Sequence, residues 1–174
     1  MKIHILGIGG TFMAGVAIIA KQLGHTVTGS DKNLYDPMKS VLIKEGIKFT
    51  EGYNSNILKK KIDLVIVGNV MSRGADIIEK LLEKNINFTS GPQWLHDNVL
   101  KNKNVIAVSG THGKTTTSSL LAWILKYSGF NPSYLIGGLP NNFNSPAKFT
   151  KSKYFVIEAD EYDTAFFDKR SKFI

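Results

Sequence analysis

The chain has 174 residues, a length for one large or two small domains, and 43% of them are apolar, the make-up of a folded globular protein rather than a collagen-like, coiled-coil or disordered one. It carries 22 Lys+Arg against 14 Asp+Glu, a net charge of +8, yet no like-charge block exceeds Lys59-Lys60-Lys61; the excess suits anionic ligands or plain solubility, and neither nucleic acid nor membrane is expected as a partner. The absence of Cys excludes a disulfide framework, a thiolate-held zinc and a thiol nucleophile.

The apolar run over 3–20 superficially resembles a signal peptide. Gly7, Gly9, Gly10 and Gly15, with His4 and Thr11, break it into two periods: a short buried strand over 2–6 and a helix over 12–23. A strand over 26–28 ends at Gly29-Ser30-Asp31. A helix over 36–45 has Pro37 in its first turn, and Gly46 separates it from a strand over 47–49. Residues 63–68 form an unbroken apolar strand, 74–84 a helix and 86–89 a strand; Ser90 then caps a helix carrying Pro92, Trp94 and Leu95. This alternation predicts a Rossmann-like, doubly wound α/β domain with a parallel sheet over residues 1–100.

A polar break, Lys101-Asn102-Lys103-Asn104, opens a second unit over 101–174. It has a strand over 105–108, a glycine-rich turn, a helix over 113–127, a short strand over 134–136, a Gly/Pro/Asn loop over 137–145 and a strand over 154–157. The last residues, Lys172-Phe173-Ile174, look like the opening of another strand. This pattern is that of the first part of a P-loop ATPase-type α/β domain, and the expectation is a chain that ends inside its second domain.

Three motifs carry chemistry. Ser109-Gly110-Thr111-His112-Gly113-Lys114-Thr115-Thr116 follows a strand and opens a helix, as a phosphate-binding loop must: backbone N–H groups and the helix dipole cradle phosphates, Lys114 reaches the β/γ-phosphates, and the Thr115 hydroxyl ligates Mg²⁺. Position 108, where the general pattern has glycine, is Val108, so the loop is a shortened variant. Glu158 ends the strand over 154–157 and starts the acidic stretch Glu158-Ala159-Asp160-Glu161-Tyr162-Asp163; an acid at the end of a buried strand downstream of a P-loop is where a magnesium-holding residue belongs. Gly7-Ile8-Gly9-Gly10-Thr11 lies at the first strand–helix turn, where a dinucleotide or nucleotide diphosphate binds, with Asp31 at the distance of a ribose contact. The third fingerprint glycine is replaced by Phe12, which leaves a tight structural turn as the other reading. Ser72 and Arg73, after the central strand, are further phosphate-binding candidates.

Together these stretches resemble the Mur ligase family of bacterial cell-wall synthesis. Gly110 to Thr117 matches its ATP loop, including the missing early glycine, and Gly29-Ser30-Asp31 and Glu158-Ala159-Asp160-Glu161 match the branch that uses UDP-N-acetylmuramate. Asn69 to Gly74, Ser90 to Asp97 and Asp163 to Phe173 resemble the members that act in peptidoglycan recycling. The resemblance implies an ATP- and Mg²⁺-dependent ligase in the bacterial cytoplasm, joining UDP-N-acetylmuramate to the murein tripeptide L-alanyl-γ-D-glutamyl-meso-diaminopimelate through an acyl phosphate. It implies Lys114 and Glu158 in catalysis, Gly110 to Thr116 on ATP, and Thr115 and Glu158 on the metal. Gly7, Gly9, Gly10, Thr11, Asp31, Ser72 and Arg73 would face the UDP-sugar. A monomer is favoured, and the 174-residue piece alone is expected to be inactive. A UDP-N-acetylmuramate–L-alanine ligase is the alternative within the family; an NAD(P)-dependent oxidoreductase is the alternative outside it.

Overall fold

The structure is a computed structural model and describes residues 1–159 and 163–171. Asp160, Glu161 and the expected strand opening at Lys172-Phe173-Ile174 lie outside the described residues.

The first sheet has five strands, β1 (Lys2–Leu6), β2 (Thr26–Asp31), β3 (Lys48–Glu51), β4 (Leu64–Val67) and β5 (Phe88–Ser90). Their order is β3-β2-β1-β4-β5, and every pairing is parallel. Chain progression reverses beside β1, so the carboxyl ends of β1 and β4 flank the crevice where open α/β sheets bind ligands. Three helices, α1 (Thr11–Gln22), α2 (Met38–Lys44) and α3 (Asp76–Glu83), lie between strands of this sheet, and α4 (Gly91–Asn98) follows β5. The Ser90 side chain accepts from the Gln93 amide and caps α4 as its sequence position predicts. In β4, Val65, Ile66 and Val67 are all fully buried, which accounts for an apolar run without alternation.

The second sheet contains β6 (Asn104–Val108), β7 (Ser133–Leu135), β8 (Ala147–Lys148) and β9 (Tyr154–Glu158), in the order β6-β9-β7-β8. Its β6/β9 and β9/β7 pairs are parallel and β7/β8 is antiparallel. Helix α5 (Lys114–Tyr127) follows β6. Strand β8 and the antiparallel pair β10 (Asp163–Ala165) and β11 (Asp168–Ser171) are not anticipated from the sequence. The β10–β11 hairpin leans back on the first sheet. Phe167 meets Phe88 edge-on with ring centroids 5.0 Å apart, and Ser90 Oγ donates to Asp168 Oδ2 at 3.2 Å.

Helix α1 joins the two sheets. Eight consecutive residues, Met13, Ala14, Gly15, Val16, Ala17, Ile18, Ile19 and Ala20, are buried, more than one helix face can account for. One side packs into the first sheet. On another, Gly15 meets Leu135 of β7 and Ala147 of β8, and one hydrophobic cluster runs from Ile3 and Ile5 through α1 to Leu135, Ala147, Phe155 and Ile157. Among the described residues, no helix is long and apolar enough to cross a membrane.

Candidate functional site

The parallel register of β6 with β9 sets Val108 opposite Glu158, so the acid emerges beside the start of the Ser109–Gly113 turn. Gly113, at φ +77°, takes the left-handed conformation that lets the turn enter α5 without a side-chain penalty. Lys114 Nζ folds back onto the loop and donates to the Gly110 carbonyl at 2.7 Å. Thr111, His112 and Thr116 are exposed along the loop and the first turn. Glu158 is only 6% exposed, and protein donors meet both of its oxygens. Oε1 accepts from the Gly137 amide at 2.8 Å and from Ser118 Oγ at 3.1 Å; Oε2 accepts from Thr115 Oγ1 at 3.3 Å. Gly137 leaves the carboxylate its place: a Cβ there would come within 2.6 Å of Glu158 Oε2 and push it aside.

Thr115 and Glu158 together present hard oxygen donors, which suit Mg²⁺. Among the described residues, no group of three or more His, Asp or Glu side chains is arranged to hold a metal by itself, so a cation here would need further oxygens from a nucleotide or water.

At the first sheet, the glycine turn is satisfied from within. Gly7 and Ile8 donate to the Ser30 carbonyl, Gly10 to the Gly7 carbonyl at 3.3 Å, and Gly9 to Asp31 Oδ2 at 2.7 Å. An anion in the crevice would therefore be met by the opening of α1 at Thr11, the positive end of a 12-residue helix, more than by the turn amides. Asp31 is both a candidate ligand contact and the brace of the turn. Its Oδ1 lies 3.4 Å from the Tyr53 hydroxyl, and burial, then the Asp31 charge, push the Tyr53 phenol up to about 12. Arg73 is engaged elsewhere: its guanidinium grips Glu79 of α3 at 2.9 and 3.0 Å, and this, with the Gly74 amide, holds the Glu79 carboxyl down at about 2. Ser72 is exposed.

One cleft of about 270 Å³ takes in both ends of this apparatus. Gly7, Gly10 and Thr11 line one side, and Gly137, Glu158 and Thr164 the other; Asn69 and Val70 of the loop after β4 also line it. The structure thus brings the first glycine turn and Glu158 together across the two sheets, and from the 69–74 loop it contributes Asn69 and Val70, not the ion-paired Arg73. Sequence reasoning missed Ser118, Gly137 and Thr164. The one available signal was the position of Ser118 three residues after Thr115, on the same face of α5.

The comparisons fit this architecture. Residues 2–103 match the model of the Mur ligase family, catalytic domain, and residues 108–173 match the Mur ligase middle domain. The chain therefore belongs to the Mur ligase family, and an oxidoreductase built on the first glycine turn is set aside. Within that family it is 58% identical over 174 residues to UDP-N-acetylmuramate–L-alanyl-gamma-D-glutamyl-meso-2,6-diaminoheptandioate ligase of Escherichia coli (strain K12), covering all of this chain and 38% of that protein. The crystal structure of the corresponding ligase from Neisseria meningitides superimposes with a TM-score of 0.94 at 51% identity, over 99% of this chain and 56% of that one. UDP-N-acetylmuramate–L-alanine ligase of Syntrophomonas wolfei is more distant, at 36% identity over 97% of this chain and 36% of that protein. The chain thus spans well under two thirds of the length of these relatives.

Proposed function

We propose that the protein supplies the nucleotide-sugar and ATP sites of a cytoplasmic, ATP-dependent amide ligase of peptidoglycan recycling, which joins UDP-N-acetylmuramate to L-alanyl-γ-D-glutamyl-meso-diaminopimelate. Residues 1–100 hold the UDP-sugar and 101–174 hold ATP. The observation that carries this reading is the cleft that Gly7, Gly10 and Thr11 share with Glu158, because it lets a diphosphate-bearing substrate reach the phosphoryl-transfer apparatus. The relatives of 58% and 51% identity favour the tripeptide as amine substrate over L-alanine.

A free carboxylate is a poor electrophile, so amide formation needs it activated, and phosphorylation by ATP does this. The turn from Gly110 to Gly113 and the first turn of α5 would wrap the phosphates, with Lys114 moving from the Gly110 carbonyl to the β/γ-phosphates. Thr115 and Glu158 would hold Mg²⁺, which neutralises charge on the transferring group. Thr11 and the α1 N-terminus would take the diphosphate, and Asp31, steadied by Gly9 and Tyr53, would face the nucleoside.

The test is a pair of measurements on the intact protein. UDP-N-acetylmuramate should bind in an equilibrium titration and NADH should not; NADH binding without a UDP-sugar response overturns the reading. Lys114→Ala should lower kcat by about 10²–10³ while the ATP dissociation constant changes far less, because charge builds on the transferring group only in the transition state. A near-normal kcat removes Lys114 from the chemistry.

A further inference from the structure

The two oxygens of Glu158 are not equivalent. Oε1 accepts from the Gly137 amide and sits 3.1 Å from Ser118 Oγ; Oε2 has the Thr115 hydroxyl at 3.3 Å. Ser118 is fully buried, and its single hydroxyl proton has three acceptors in reach: the Lys114 carbonyl at 2.7 Å, the Thr115 carbonyl at 3.2 Å and Glu158 Oε1. The Lys114 carbonyl already takes the Ser118 backbone N–H in the helical pattern, so it loses little without the hydroxyl. A hydroxyl bond to a carboxylate oxygen is stronger than one to a carbonyl, and Glu158 Oε1 lies within reach at 3.1 Å. The Ser118 hydroxyl is thus shared between two helix carbonyls and Glu158 Oε1, and its contact with the acid is the one that reaches outside the helix. With two donors, both in-plane lone pairs of Oε1 are filled.

We propose that Ser118 and the Gly137 amide make Glu158 a one-oxygen metal ligand and so bias the site toward Mg²⁺ over Ca²⁺. Ser118 is the positioning residue in this arrangement. The inference rests on the reading that Thr115 and Glu158 hold the divalent cation. Mg²⁺ asks for six ligands in tight octahedral geometry and accepts one oxygen per carboxylate; Ca²⁺ takes six to eight and gains from a carboxylate that binds through both. Anchoring Oε1 denies Ca²⁺ that second oxygen and holds Oε2 in the single orientation that octahedral Mg²⁺ needs.

The experiment is Mn²⁺ binding followed by electron paramagnetic resonance, on the intact protein saturated with a non-hydrolysable ATP analogue. Mg²⁺ and Ca²⁺ serve as competitors, and wild type is compared with Ser118→Ala and Ser118→Thr. Alanine favours the helix and threonine restores the hydroxyl, and a melting temperature for each variant reports on the fold. In Ser118→Ala the Mg²⁺ competition should weaken about tenfold, the scale of losing an outer-sphere partner, while Ca²⁺ competition weakens less, so the preference narrows. Ser118→Thr should restore it. Unchanged competition by both ions in Ser118→Ala, or an equal loss for both, overturns the proposal and leaves the metal site standing. Wild-type protein that binds no Mn²⁺ with the nucleotide overturns the Thr115–Glu158 metal site itself, and this proposal with it.

Discussion

His4 shows how a single side chain can set the pH range of the fold. It lies inside β1 at 1% exposure, with Nδ1 2.9 Å from the Thr28 hydroxyl and Nε2 3.2 Å from the Ser30 hydroxyl. Burial, and then the charge of Lys60, lower its pKa from 6.5 to about 4. Between those values the unfolded chain binds a proton that the folded chain refuses, so stability rises with pH through this window and is flat on either side of it for this group. The full contribution is on the order of 3 kcal/mol, an upper figure for a burial-driven shift. Urea unfolding from pH 4 to 7.5 should show this slope in the native protein and lose it in His4→Gln; a slope that survives the substitution assigns it to another group. The same scale shows which parts of the site could be read from sequence. Lys114, Thr115 and Glu158 announce themselves because a phosphate loop is a local pattern and an acid at a strand end is its usual companion. Ser118 and Gly137 do not, because their purpose is set by an acid 40 and 21 residues further on, through a register that only the folded sheet defines.

Among the elements, α1 best separates what was legible from what was not. Its sequence is apolar on nearly all sides, the reason the segment superficially resembles a signal peptide, and the fold explains this by placing a sheet on more than one side of it. The first sheet was legible almost strand by strand, because parallel strands and amphipathic connections write strong periods. Strand β8 has two residues and the β10–β11 hairpin three and four, too short for any period; they exist because tertiary partners, Leu135 for the first and Phe88 and Ser90 for the second, hold them. The contact of α1 with the second sheet gives a sharp test. A Cβ at Gly15 would sit 2.9 Å from Cγ of the buried Leu135 and 3.3 Å from the buried Ala147 methyl. Gly15→Val should destabilise the protein by about 1–3 kcal/mol, the usual scale of overpacking, read as a lowered urea midpoint with an unchanged slope. An unchanged or raised midpoint would mean that the two sheets part readily at this seam.

At the scale of the molecule, the two sheets share one core, and the Gln22 side chain reaches across to accept the Phe149 amide at 2.6 Å. On the second sheet, α5 leaves Leu120, Ile124 and Tyr127 open to solvent, and Val105 of β6 is 40% exposed, so its packing is far more one-sided than that of the first. The shared cleft has a thermodynamic consequence. On the proposed reading, one ligand held through Thr11 and another through Glu158 would share a cleft of about 270 Å³ and should bind with mutual coupling. Whatever factor the metal–nucleotide complex imposes on UDP-N-acetylmuramate affinity, UDP-N-acetylmuramate must impose on the nucleotide, because both routes around the binding cycle end in the same ternary complex. Calorimetric titration of each ligand with and without the other should give two equal factors of about fivefold or more. Factors of one in both directions would mean the ligands never meet in that cleft; measurable and equal ones would make either substrate a gauge of the other's occupancy.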